Sequence, residues 1–165
     1  MTGSTGRVAK LHGHRAQFMA RRLRSLRPGT HVGKMEWNFR SGSVAAARES
    51  RREFVSELRA QANAQSDLPA AELIFGELIG NVVKHAPGRV SVKLEWNGPK
   101  AILSVCDIHA PFKPKFTLPA DIMSESGRGL FIAHTLATSV SVTHIRGDGT
   151  KISIGLPVWR RDGLR

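Results

Sequence analysis

The sequence predicts an α+β fold: a two-layer sandwich in which a mixed, mostly antiparallel sheet carries helices on one face. Two observations predict it. Alternating apolar segments occur as neighbouring pairs joined by short turn-forming stretches, at residues 89–107 and 139–158, and such hairpins build antiparallel rather than parallel sheets. Segments with three-to-four apolar spacing lie before and between those pairs, so helices interleave with hairpins and a doubly wound parallel sheet is disfavoured. A chain of 165 residues with 41% hydrophobic content can bury one sizeable core, which suits a single domain.

Each element follows from local pattern. "KMEWNF" has the aromatic content of a short strand, and "RSGS" reads as a turn. Over residues 44–59, apolar Val44, Ala47, Phe54, Val55 and Leu58 recur among Arg and Glu, which predicts an amphipathic helix. "NAQSDLP" supplies a loop, and Pro69 suits the first turn of a second helix that Pro87 and Gly88 stop. "RVSVKLEW" and "KAILSVCD" alternate as strands around "NGP", with Leu103 and Val105 sharing a face with Asp107. The stretch at 108–126 is too rich in prolines and other breakers for a long element. "GRGLFIAHTLA" reads as a glycine-rich turn opening a helix, and "SVSVTHIRGDGTKISIGLPV" as two strands joined around Asp148 and Gly149.

The net charge of +12 is unevenly placed. Residues 1–34 hold eight Lys/Arg and no Asp or Glu, so the rest of the chain carries 17 basic against 13 acidic residues. This divides the chain into a basic, flexible arm at 1–34, a domain at 35–158 and a short tail at 159–165. An acid-free arginine-rich arm is a solvated extension, a targeting segment or a tether for an anionic partner. A single cysteine, Cys106, excludes an internal disulfide, and no Cys/His cluster has metal-ligand spacing. With no long apolar run and no secretory signal, a cytoplasmic protein without membrane attachment is expected.

The stretch "GELIGNVVKHAPG" carries the chemistry of interest. Glu77, Asn81 and His85 lie at i, i+4 and i+8, so they form one stripe on a helix otherwise rich in Leu, Ile and Val. A carboxylate and an amide on such a helix either satisfy neighbouring backbone or face a metal, water or polar ligand. Asp107 closes a strand and enters an irregular loop, where it caps a turn or contacts a ligand. "SGRGL" places Gly127, Arg128 and Gly129 at a helix start. Backbone N–H groups there can hold an anion closely, with Arg128 adding charge. It is not a Walker A loop, because no GK[ST] follows at the required spacing.

The ordered set, E-x-x-x-N-x-x-x-H on a helix, Asp after a hairpin, G-x-G opening a helix and "GDGTKISIGLP" as a closing strand, resembles the GHKL ATPase superfamily with its Bergerat fold. The likeness covers roughly residues 37–158. "ELIGNVVKHA" is similar to the N box, "DIHAPFKP" to the G1 box and "SGRGL" to the G2 box, with Thr150 as the threonine after the last glycine. The resemblance implies ATP and Mg²⁺ as cofactors. It implies Asn81 as the Mg²⁺ ligand, Glu77 as general base, His85 as a phosphate or structural contact, and Asp107 as acceptor from the adenine amine. The amides of Gly127, Arg128 and Gly129 would hold phosphates beneath a lid at 113–125, and Thr150 would sit near the adenine. The G1 pattern D-x-G-x-G departs here, since His109 and Pro111 occupy its glycine positions.

Among GHKL branches, the chain resembles the small anti-sigma-factor serine/threonine kinases, through "NVVKHA", the P-F-x-P segment at 111–114 and "GRGL". It lacks an upstream phosphoacceptor helix and is short for gyrase-type or chaperone relatives. The resemblance implies phosphorylation of a serine on an antagonist-type protein, with a sigma factor as a further partner in partner-switching signalling. Homodimerisation is left open, and nucleic acid enters only through the basic arm. The alternative, prompted by His109 and Pro111, is a GHKL-fold binding module that senses nucleotide or protein without efficient turnover.

Overall fold

The computed structural model describes residues 19–23, 34–85, 88–107, 117, 128–145 and 149–161. Strands β1 (Met19–Leu23) and β2 (Lys34–Arg40) precede helices α1 (Val44–Gln61) and α2 (Leu68–His85). Strands β3 (Arg89–Asn97) and β4 (Lys100–Asp107) follow, then helix α3 (Arg128–Leu136) and strands β5 (Ser139–Ile145) and β6 (Gly149–Trp159). One sheet runs in the order β1-β2-β3-β4-β6-β5, and every described pairing is antiparallel. The expected α+β two-layer sandwich is the observed architecture.

One strand has no counterpart in the sequence reading. β1 lies within the basic arm segment and pairs with β2, Met19 opposite Asn38 and Leu23 opposite Lys34. Its sequence, MARRL, lacks the apolar alternation by which the other strands declare themselves.

Alternation sorts the inner strands into two faces. Val90, Val92, Leu94 and Trp96 of β3, Leu103 and Val105 of β4, and Ile152, Ile154, Leu156 and Val158 of β6 are buried. Helix α1 lies against β2, α2 against β4 and β6, and α3 against β6. The opposite face is polar: Lys93 Nζ stands 3.7 Å from Glu36, and the hydroxyls of Ser104 and Ser153 share a hydrogen bond of 2.9 Å. The core centres on three aromatic rings. Phe54 stacks on Phe75 at 4.5 Å, and Trp37 meets Phe75 edge-on at 6.3 Å. The Trp37 indole N–H donates to Glu53 at 2.7 Å, so its one polar atom is satisfied.

The helices begin at side-chain caps. The Ser43 hydroxyl accepts from the Ala46 amide, and the Asp67 carboxylate accepts from the Ala70 amide at 2.9 Å. The buried stripe of α1 is Ala46, Ser50, Phe54 and Leu58. Val44, expected inside, is 52% exposed because it lies two residues, about 200° of helix, from the start of that stripe. In α2, Leu73 is 43% exposed, so one flank of this helix faces out rather than being apolar on nearly all sides.

The start of α2 is tied to the end of β6: Asp67 N donates to Pro157 O at 2.9 Å and Asn63 N to Trp159 O at 2.8 Å. The other end of the helix is held by Gly88, whose φ of 136° is open only to glycine; its amide donates to Ser41 Oγ and its carbonyl accepts from Ser41 N. Helix α2 therefore runs the length of the sheet towards the end where β4 finishes and β6 begins.

Candidate functional site

Two rows of residues converge at that end. Across the sheet, Val90, Asp107, Thr150 and His144 are successive register partners, from β3 through β4 and β6 to β5. Thr150 is 2% exposed, so this row closes directly onto the core. On α2, Glu77 and Asn81 lie one turn apart and are both half-buried. Among the described residues neither side chain has a hydrogen-bond or ion-pair partner. Half-buried carboxylate and amide groups left uncommitted among the described residues mark a place where a polar ligand can supply partners.

Helix α3 closes the other side. It packs on α2 and begins with Arg128, which is half-buried and already engaged by a neighbour. Gly129 lies flush against Glu77. A Cβ at this glycine would collide with Glu77 Oε2 and stand 3.0 Å from Cδ and 3.5 Å from Cβ. A side chain at this position would therefore have to displace the far end of the Glu77 side chain. The second close approach of this kind is Gly155 on β6, where a Cβ would come within 2.5 Å of Thr138 Oγ1 and Ser139 Oγ at the turn into β5.

The structure thus sets Glu77 of α2 against Gly129 of α3, with Asn81 one turn further along α2 and Arg128 next to Gly129 in the chain, and pairs Thr150 with the backbone of Asp107 in the sheet. His85 ends α2 and Asp107 ends β4, while their side chains, Gly127, His109, Pro111 and, apart from Thr117, the lid at 113–125 lie outside the described residues. The Glu77–Gly129 contact had no signal in the sequence, because the two residues are distant in the chain and glycine records only that a side chain is absent.

Cys106 flanks Asp107 on the polar face, with Lys151 as its register partner. Burial pushes its thiol above the ordinary range, against the lowering influence of Lys151 and Lys93, while Glu36 adds to the rise. This cysteine is held protonated and is a poor nucleophile. No group of three or more His, Cys, Asp or Glu that could cage a metal occurs among the described residues. The donor chemistry present, an amide oxygen beside a carboxylate, suits a hard cation held mainly by ligand phosphates and water, which is how Mg²⁺ is usually bound.

Helices on one face of an antiparallel sheet, with an acid–amide stripe on α2 opposite a glycine at the start of α3, are consistent with a GHKL-type ATPase fold. Residues 41–156 match the histidine kinase-like ATPase domain family, and the chain belongs to that family. Membership implies nucleotide binding and supports an ATP-binding regulator of GHKL type. No curated protein matched the sequence. No helix among the described residues is long and apolar enough to cross a membrane.

Proposed function

We propose that the protein binds Mg-ATP at the α2–α3 crossing and transfers the γ-phosphoryl group to a serine of an antagonist-type partner protein, in the manner of anti-sigma-factor kinases acting by partner switching in the cytoplasm. The observation that carries this reading is the half-buried pair Glu77 and Asn81, uncommitted among the described residues, with Glu77 set against Gly129. Asn81 offers its amide oxygen as a metal ligand. Glu77 accepts the proton of the attacking serine hydroxyl at its carboxylate. In this reading the amides of Gly127, Arg128 and Gly129 are the phosphate ligands, and Arg128 and His85 supply charge or support. Asp107 and Thr150, register partners, read the adenine edge. When bound, Mg²⁺ neutralises phosphate charge, so phosphoryl transfer asks of the protein mainly positioning and electrostatic support.

A second reading is favoured by one feature: His109 and Pro111 stand where the family's G1 glycines would be. On that reading the chain is a regulator that binds nucleotide or protein without efficient turnover. Calorimetric titration with ATP, with and without Mg²⁺, followed by an ADP-release assay, tests both. Mg-dependent binding with slow turnover supports the kinase, binding without turnover supports the sensor, and no binding at millimolar ATP removes both nucleotide readings.

A further inference from the structure

On the flank of α2 away from Glu77 lies a groove of about 600 Å³ between α1 and α2, walled by Arg48, Arg51, Arg52 and Arg59, with Val55 at its base and Glu72 opposite. Glu72 and Glu77 are five residues apart, about 140° around the helix, so this groove is separate from the candidate nucleotide site. We infer that it is a docking surface for an acidic, aliphatic-bearing segment of another protein. The inference names the partner class for the proposed function and rests on that reading only in expecting a protein partner.

The arginines are unequal. Arg51 Nε lies 3.1 Å from Glu72, and Arg52 lies 2.9 Å from Glu49, with Arg side chains 54% and 74% exposed. Such exposed pairs hold little energy, so they exchange readily for a partner's carboxylates. Arg48 and Arg59 have no ion pair among the described residues and stand at the two ends of the groove, eleven residues or about 16 Å apart along the helix. Their planar forks suit discrete carboxylates, which they can bind bidentately. Val44, 52% exposed and four residues before Arg48 on the same side of α1, adds apolar surface, and arginine beside aliphatic groups is typical of protein interfaces.

Other occupants fit less well. Glu72 stands in the groove against Arg51 and Glu49 pairs with Arg52 at its edge, so a phosphodiester backbone would meet carboxylates along this face. A second copy docking the same groove across a two-fold axis would set arginine against arginine. The chain's own residues 1–34 hold no acid to offer.

The test is fluorescence anisotropy of the full chain, without ATP, using a fluorescein-labelled amphipathic peptide whose glutamates lie three turns apart beside leucines. Binding should weaken about tenfold or more in Arg48→Glu/Arg59→Glu and less in Arg48→Gln/Arg59→Gln, while a lysine-for-glutamate peptide fails to bind. Both arginines are exposed, and unchanged circular dichroism of the variants shows that the fold is kept. No peptide binding, or equal binding by wild type and both variants, overturns the inference. So does an oligonucleotide that binds this face in preference to the peptide. ATP titration of the same variants reads the nucleotide site independently, so either conclusion can fail without the other.

Discussion

Gly129 on α3 and Glu77 on α2 touch so closely that the glycine has no room for a Cβ, which would fall on the carboxylate oxygen. The contact couples the helix carrying the proposed general base to the helix start proposed to hold phosphate. Gly129→Ala should therefore push the Glu77 carboxylate out of its present rotamer, at a cost of about 0.5–1.5 kcal/mol read as a lower denaturation midpoint. In a double-mutant cycle, adding Glu77→Ala should recover part of that loss. Additive costs would mean that the clash is absorbed elsewhere.

Within the proposed site the two polar residues separate by role. Asn81→Ala should abolish Mg-dependent nucleotide binding while leaving the circular dichroism spectrum unchanged. Glu77→Gln keeps shape and hydrogen-bonding capacity but cannot take a proton, so ATP binding should persist while transfer falls about 10²–10⁴-fold. Transfer at the original rate would remove Glu77 from that role.

Gly80 sits inside α2 with nothing within 4 Å of where a Cβ would be. Gly80→Ala should raise stability by about 0.5–1 kcal/mol, through helix propensity alone. A thermal midpoint that falls instead would reveal a neighbour in that space.

The ring stack of Phe54 on Phe75, with Trp37 at its edge, lies at the centre of the core. Phe75, 1% exposed, touches both, and Phe75→Ala should cost about 3–5 kcal/mol in chemical denaturation.

The Cys106 thiol, raised by burial, should react with iodoacetamide only at pH above the range of a free cysteine, and Lys151→Gln should move that threshold higher by removing a favourable charge. The sign for stability follows. Because the folded state holds this proton more tightly than the unfolded chain, its contribution is present at neutral pH and is lost as pH rises through the folded value. A reactivity threshold at or below that of the denatured protein would contradict the burial account.

Much of this architecture was legible because the strands obey period two and the helices period 3.6. Val90, Val92, Leu94 and Trp96 alternate as plainly in the sequence as they are buried in the sheet. The polar stripe of Glu77 and Asn81 was legible for the opposite reason, since such groups are costly on an apolar helix. Features beyond the Glu77–Gly129 contact were not legible either. β1 pairs through backbone groups that any residue supplies, so MARRL gave no sign. Val44 looked like core by type, yet its angle on α1 points elsewhere. The arginine groove needs α1 and α2 side by side, a relation between helices that neither records alone.

The position of β6 has a consequence for how the chain assembles. The strand nearest the C-terminus is an inner one, bonded to β4 on one side and β5 on the other. As a nascent chain emerges, β2 to β4 can pair early, but β5 has no edge to join and Thr150 cannot meet Asp107 until the last strand arrives. Such long-range closure is intrinsically slow. Pairing of Thr150 with Asp107 should therefore come after that of β2 to β4, and a chain cut before Gly149 should lack this pairing and the seat of β5.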